Sequence, residues 1–355
     1  MTKIKVLVVD DSAFMRKAIE NMLSGEQDIE VVGFGANGEE AVELVAKLKP
    51  DVLTLDIEMP KMDGLTALKK IMQNNPLPVI MVSSLTQEGA EITLRALDSG
   101  AVDFIPKEKS YGSVGILKIS HELKNKVRKF AGDKSILHRL HPVSSAAKPA
   151  AAPVTPRYIS KGVSTKKKIV ALGTSTGGPQ SLQRVVPLLP ADLGVPVLVV
   201  QHMPPSFTQS LAARLDSLSK VKVVEAQGGE QLQPNCVYIA KGGKQMVVRR
   251  TSAGGIIELK PEDPNLLHNP SVDVMTNSVA EQYGKDALGV IMTGMGNDGT
   301  KGLTVLKNGG GFIIAQDEPS CIVYGMPRAV VEAGIADEII PLDSIAGRIA
   351  FHCKG

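Results

Sequence analysis

Along the first third of the chain, short apolar runs alternate with stretches in which hydrophobic residues recur at helical spacing. The runs are Val6–Val9, Glu30–Phe34, Val52–Leu55, Val79–Val82 and Val102–Ile105. Each is the length of a strand and is followed by an amphipathic stretch long enough for a helix. Five strand-then-helix units predict an α/β domain built on a doubly wound parallel sheet. The mostly apolar character of the runs suits strands covered on both faces.

The periodicity stops after Phe130. His141–Lys168 is rich in Pro, Ala, Ser, Thr and Lys without a repeat, the composition of a flexible linker. A second alternating series follows, with runs at Ile169–Leu172, Val195–Val200, Val221–Glu225, Val237–Ala240, Ala287–Met292 and Phe312–Ala315. Within it, Gln245–Arg250 and Ile256–Lys260 flank the glycine-containing stretch Thr251–Gly255 and predict a β-hairpin. The expected organisation is a (βα)5 domain over residues 1–130, a linker over 131–167, and a second doubly wound α/β domain with a β-hairpin over 168–355.

Length agrees with this division, because 355 residues exceed the ~100–150 of a typical single core. A net charge of +3 with no Trp gives little for bases to stack on, so no nucleic-acid partner is expected. No apolar run approaches the ~20 residues that span a bilayer, so membrane insertion is not expected either. Ile4–Val9 runs directly into Asp10 and Asp11 and reads as a first strand, not a signal peptide. Cys236, Cys321 and Cys353 are odd in number, widely spaced and never in a Cys-x-x-Cys pair, so neither a disulfide framework nor a zinc site is indicated and a cytoplasmic location fits.

Ligands of parallel α/β sheets sit beyond the carboxyl ends of the strands, so residues directly after strands carry the chemistry. Asp10 and Asp11 follow the first run and Asp56 the third. Three convergent carboxylates repel one another unless a hard cation neutralises them, and oxygen ligands suit Mg²⁺. Ser83 after the fourth run and Lys107 after the fifth add a hydroxyl and an ammonium, the groups that hold a phosphoryl group on Asp56. Any one of these acids alone would read equally well as a helix cap. Five in register do not.

The stretches Val8-Val9-Asp10-Asp11-Ser12, Asp56-Ile57-Glu58-Met59-Pro60-Lys61-Met62-Asp63-Gly64 and Asp103-Phe104-Ile105-Pro106-Lys107 resemble the receiver domain of bacterial response regulators. The resemblance implies that Asp56 is the phosphoacceptor, that Asp10, Asp11 and Asp56 bind Mg²⁺ with the Glu58 carbonyl, and that Ser83, Lys107 and the aromatic switch residue Phe104 sense the phosphoryl group.

In the second domain, Gly173-Thr174-Ser175-Thr176-Gly177-Gly178 lies between the run Ile169–Leu172 and a helix expected near Pro179. A serine in Gly-x-Ser-x-Gly on a strand-to-helix turn exposes its hydroxyl, which makes Ser175 a candidate nucleophile. The stretch alone reads as well as an anion-binding glycine loop. His202 lies just past Val195–Val200 and Asp298 just past Ala287–Met292, so three strands deliver Ser, His and Asp to one sheet edge. The chain order Ser, His, Asp differs from the Ser, Asp, His of α/β-hydrolases, so the Gly-x-Ser-x-Gly match does not assign that fold.

With His268-Asn269-Pro270-Ser271-Val272-Asp273-Val274 and Tyr324-Gly325-Met326-Pro327-Arg328, the second domain resembles the catalytic domain of chemotaxis protein-glutamate methylesterases. The resemblance implies hydrolysis of γ-glutamyl methyl esters on methyl-accepting chemotaxis receptors, deamidation of some glutamines, and a histidine kinase as phosphodonor. It makes Ser175 the nucleophile, His202 the general base, Asp298 its orienting carboxylate and the Met295 N–H an oxyanion donor. Mg²⁺ belongs to the receiver, and ester hydrolysis needs no cofactor. No role follows for His268 or Arg328. The rival reading is a non-catalytic response regulator that binds a nucleotide or partner through Gly173–Gly178.

Overall fold

In the N-terminal unit, β1 (Ile4–Val9), β2 (Ile29–Gly35), β3 (Val52–Asp56), β4 (Val79–Ser84) and β5 (Asp103–Lys107) form a parallel sheet in the order β2-β1-β3-β4-β5. The helices α1 (Ala13–Leu23), α2 (Gly38–Leu48), α3 (Gly64–Asn74), α4 (Gln87–Asp98) and α5 (Ser113–Ala131) connect the strands or follow the last one. This computed structural model describes residues 3–107, 113–131, 136–137, 157–158, 166–252 and 254–354. Val6, Leu7, Val8, Leu53 and Leu55 are fully buried in β1 and β3, as strands covered on both faces require. Burying each such side chain contributes ~1.5–3 kcal/mol.

The helices begin where the sequence supplies caps. Ser12, Asn37, Asp63 and Thr86 accept from the exposed N–H groups of the first turns of α1, α2, α3 and α4. Asp10 and Asp11 directly follow the end of β1, and Asp56 is the last residue of β3, which places all three at the carboxyl edge of the sheet.

The chain divides into two units, Met1–Ser144 and Ser145–Gly355, at a point inside the expected linker. Most of the expected linker over 131–167 lies outside the described residues. Its Arg157–Tyr158 forms β6, a short strand the sequence pattern does not predict, pairing antiparallel with β15 (Glu338–Ile340).

The second unit is built on an eight-stranded sheet in the order β6-β15-β14-β13-β7-β8-β10-β9. The remaining strands are β7 (Ile169–Thr174), β8 (Val197–Gln201), β9 (Lys222–Glu225), β10 (Cys236–Ile239), β13 (Ala287–Ile291) and β14 (Phe312–Gln316). All except β6 run parallel. The hairpin of β11 (Gln245–Thr251) and β12 (Gly254–Lys260) is a separate two-stranded sheet whose Met246, Val248 and Ile257 join the main core. Helices α6 (Gly178–Val185), α7 (Phe207–Leu218), α8 (Val272–Tyr283), α9 (Thr300–Asn308), α10 (Met326–Glu332) and α11 (Leu342–Lys354) complete the unit.

Strand β7 lies between β8 and β13. The chain leaves β7 toward β8, β10 and β9, then returns to the opposite side as β13, β14 and β15. Such a reversal of strand order opens a crevice at the carboxyl ends. Ser175, His202 and Asp298 follow the three strands that border it.

Candidate active site

His202 and Asp298 meet directly. The imidazole Nε2 lies 2.7 Å from Asp298 Oδ2, and the two side chains are only 8% and 11% exposed. The other ring nitrogen, Nδ1, is buried and without a hydrogen-bond partner. Asp298 therefore engages Nε2 and leaves Nδ1 unengaged, the reverse of the ring orientation in serine proteases.

Asp298 is held by more than His202. Its Oδ1 accepts from the Ser271 hydroxyl at 2.8 Å and the Asp273 N–H at 3.1 Å, and its Oδ2 accepts from the Val272 N–H at 2.7 Å. These donors open α8, so the carboxylate sits at a helix N-terminus, where N–H groups and dipole favour an anion. Burial alone would raise its pKa, but His202 and the Val272 and Asp273 N–H groups outweigh that and hold the carboxyl well below the usual range. Asp273 turns elsewhere: its carboxylate accepts from the Gly302 N–H at 2.8 Å in α9. Burial, aided by the neighbouring Asp298 charge, raises its pKa.

Ser175 is partly exposed on the turn between β7 and α6. Its N–H donates to Thr293 O at 3.0 Å, tying it to the strand end that leads to Asp298. Its carbonyl accepts from Gln201 Nε2 at 3.0 Å, and the same Nε2 donates to His202 O at 3.0 Å. One carboxamide thus links the backbones of Ser175 and His202. Gly178 is required beside it, because a Cβ there would lie 1.9 Å from Gln201 Oε1.

Two N–H groups of the glycine loop are already bonded within the protein. Ser175 N–H goes to Thr293 O, and Gly178 N–H returns to Ser175 O at 2.7 Å. A phosphate cradle needs those groups free. Next to the loop, a Cβ on Gly294 would stand 2.9 Å from the Ser175 Cβ, so only glycine allows the 294–295 peptide so near the serine. The Gly294 carbonyl accepts from the N–H groups of Gly325 and Met326 at 3.1 and 2.9 Å, which fixes that peptide plane and the direction of the Met295 N–H.

Sequence reasoning missed three contributors. Gln201 and Thr293 are polar residues directly after apolar runs, a signal that was readable but had no assigned chemistry. Buried Thr293 accepts at its carbonyl from Ser175 N and from the Thr174 hydroxyl at 2.9 Å, and its own hydroxyl donates to Thr176 O at 2.9 Å. Ser271 stands in the motif around His268, yet its bond to Asp298 depends on the fold. Arg328 is exposed at the start of α10 and pairs with Glu332 one turn on.

In the N-terminal unit, Asp10, Asp11 and Asp56 each place a carboxylate oxygen within 4.8 Å of the others. Lys107 Nζ lies 2.8 Å from Asp10 Oδ2 and 2.7 Å from Asp56 Oδ2. Burial pushes the Asp56 carboxyl up to about 6, with the Asp10 charge adding and Lys107 opposing. An oxygen-only donor set with one exposed member suits a hard divalent cation. The Glu58 side chain accepts from the Ser84 hydroxyl at 3.2 Å.

Ser83 does not join this cluster through its hydroxyl. Ser83 Oγ accepts from Thr93 Oγ1 at 2.6 Å and donates toward Gly89 O at 3.2 Å, both on α4. Phe104 is buried, its carbonyl accepting from Lys126 Nζ at 2.7 Å and its ring lying under the same ammonium. Burial opposes the charge on Lys126, but Asp103 and Glu122 more than offset it and raise its pKa.

Residues 170–349 match the family model for the CheB methylesterase. The chain belongs to the CheB methylesterase family. Residues 6–113 match the response regulator receiver domain. A protein-glutamate methylesterase/protein-glutamine glutaminase of Oleidesulfovibrio alaskensis is 46% identical, with 98% of each chain covered. One of the same name from Bacillus licheniformis is also 46% identical, with 99% of each covered. The crystal structure of the Thermotoga maritima CheB methylesterase catalytic domain is 43% identical, with a TM-score of 0.51, covering 53% of this chain and 99% of that one. Along the chain the receiver match precedes the methylesterase match. No described helix is long and apolar enough to cross a membrane.

Proposed function

We propose that this chain is a protein-glutamate methylesterase that also deamidates certain glutamines, with chemotaxis receptors as substrates and phosphorylation of Asp56 as its control. The observation that carries the reading is the His202–Asp298 pair at 2.7 Å with Nδ1 unpaired. It sits beside the Ser175 turn at a strand-order reversal.

In this reading Ser175 Oγ attacks the γ-carbonyl of the glutamyl methyl ester while His202 Nδ1 takes the hydroxyl proton. Asp298 keeps Nε2 protonated and stabilises the imidazolium. The Met295 N–H stabilises the oxyanion. Collapse expels methoxide, which leaves as methanol with the proton from Nδ1. Water then attacks the acyl-enzyme with His202 again as base, and the glutamate is released with Ser175 restored. A glutamine follows the same steps with ammonia leaving. Buried catalytic hydrogen bonds often tighten only when substrate arrives, which accounts for an unpaired Nδ1 in the free enzyme.

At the receiver, Asp10, Asp11, Asp56 and the Glu58 carbonyl would hold Mg²⁺, which supplies charge neutralisation for phosphoryl transfer from a histidine kinase. Asp56 accepts the phosphoryl group. Lys107 pairs with it, and Ser83 and Phe104 respond to it. The rival nucleotide-binding reading has less support, because the N–H groups of Ser175 and Gly178 in the glycine loop are already bonded.

The test is methanol release from methyl-labelled receptor. Ser175→Ala should lower it on the order of 10⁴-fold or more without loss of fold, since removing one partly exposed hydroxyl leaves little cavity. Retention of more than about a tenth of the rate would sink the assignment.

A further inference from the structure

Asp298 grips His202 at one atom only. A single hydrogen bond at Nε2 leaves the imidazole plane free to rotate, because the second side-chain torsion of histidine has a broad, shallow profile. The ring face is covered by a second imidazole. His268 stacks on His202 with ring centroids 3.8 Å apart and planes inclined by 12°.

The segment carrying His268 is firmly anchored. Gln245, 3% exposed on β11, donates from Nε2 to His268 O at 3.0 Å and to Asn269 Oδ1 at 2.6 Å. Its Oε1 accepts from Ser271 N at 2.9 Å. Asn269 in turn accepts at Oδ1 from Asp263 N at 3.0 Å and at its carbonyl from Gly243 N at 3.0 Å. The same four-residue stretch ends in Ser271, whose hydroxyl donates to Asp298 Oδ1. One braced segment therefore presses on the face of the base and holds the carboxylate that orients it.

We propose that His268 is a positioning residue for the hydrolysis, acting through His202: its ring fixes the imidazole plane so that Nδ1 faces the Ser175 hydroxyl. This rests on the Ser175, His202 and Asp298 reading above. The stacked surface carries the effect and not the titration or N–H groups of His268, so another flat ring of similar size should replace it. A substrate contact through a His268 nitrogen would not be replaced in that way.

The experiment measures kcat and KM for methanol release by the full-length protein as wild type, His268→Ala, His268→Phe and Ser175→Ala. Loss of alignment at a reacting centre costs up to about 100-fold, so His268→Ala should lower kcat on the order of 10- to 100-fold. KM should stay within about two-fold of wild type, the pattern of an interaction that acts on the chemical step. His268→Phe should recover most of the kcat, and its Nε2–H signal for His202 in nitrogen-15 spectra should match wild type. Wild-type kcat in His268→Ala, a phenylalanine variant as slow as the alanine one, or a raised KM with unchanged kcat would each overturn the proposal. An active Ser175→Ala would bring down the triad reading and this proposal with it. An inactive Ser175→Ala beside a fully active His268→Ala would bring down the positioning role alone.

Discussion

Gln201 donates to the carbonyl of Ser175 at 3.0 Å and so fastens the Ser175 backbone to the strand that leads to His202. The carboxamide is 2% exposed and also serves His202 O. Gln201→Leu keeps the volume but removes both donors. His202 O then loses this partner, whereas Ser175 O keeps the Gly178 N–H. The expected cost is ~1–3 kcal/mol of stability, the penalty for a buried acceptor left unmet, together with a lower kcat. Gln201→Glu should be worse on both counts, because it sets a carboxylate against two carbonyl oxygens. Denaturant unfolding and methanol release check the order, and a glutamate variant as stable as the leucine one would refute this account.

Asp298→Asn should lower kcat by about 10⁴ with little change in KM, as in a serine-protease triad where the orienting carboxylate sets the tautomer. The exchange also has a pH signature. The folded-state pKa of Asp298 is depressed below its ordinary value of 3.8. Its contribution to stability is therefore present above pH 3.8 and is lost as pH falls through the lower folded value. Wild type should exceed the asparagine variant by roughly 1.5–3 kcal/mol at pH 7, and the gap should begin to close below about pH 4. Unfolding curves across that range decide it, and a gap constant with pH would show that charge is not what the bonds to Ser271, Val272 and Asp273 stabilise.

The Ser83 hydroxyl that a phosphoryl group on Asp56 would need is held toward α4, bonded to Thr93 and Gly89. Thr93 Oγ1 donates to Ser83 Oγ at 2.6 Å, and both residues are fully buried. Thr93→Val preserves shape and removes the bond from Thr93 that anchors the Ser83 hydroxyl on α4. Freeing one hydrogen bond of ~0.5–1.5 kcal/mol should reduce the concentration of a small phosphodonor giving half-maximal stimulation by roughly 2- to 10-fold. The comparison is made with and without Ser83→Ala. A shift of the same size in both backgrounds would show that Ser83 is not the residue released.

The strands were legible because their signal is local. Apolar β-branched runs reported both sheets, and the residues in the turns after those runs included Asp10, Asp56, Ser175, His202 and Asp298. Where local chemistry intervenes, the boundaries move. Strand β8 starts at Val197, not Val195, because Pro196 has no N–H to give a ladder and its carbonyl instead accepts from Val170. The three-residue β15 and two-residue β6 are too short to show a period at all.

What the sequence by itself determined, then, was two α/β domains and which side chains stand at the carboxyl edges of their sheets, since both follow from neighbours along the chain. Which atoms meet was decided by tertiary structure. Gln201 reaches Ser175 across 26 positions, and His202 reaches Asp298 across 96. The choice of Nε2 over Nδ1, the turn of the Ser83 hydroxyl toward α4, and the His268 ring over His202 depend on strand order and on loops braced by distant partners. A periodic pattern carries the direction of a side chain relative to its own strand or helix, and nothing about what another segment will place against it.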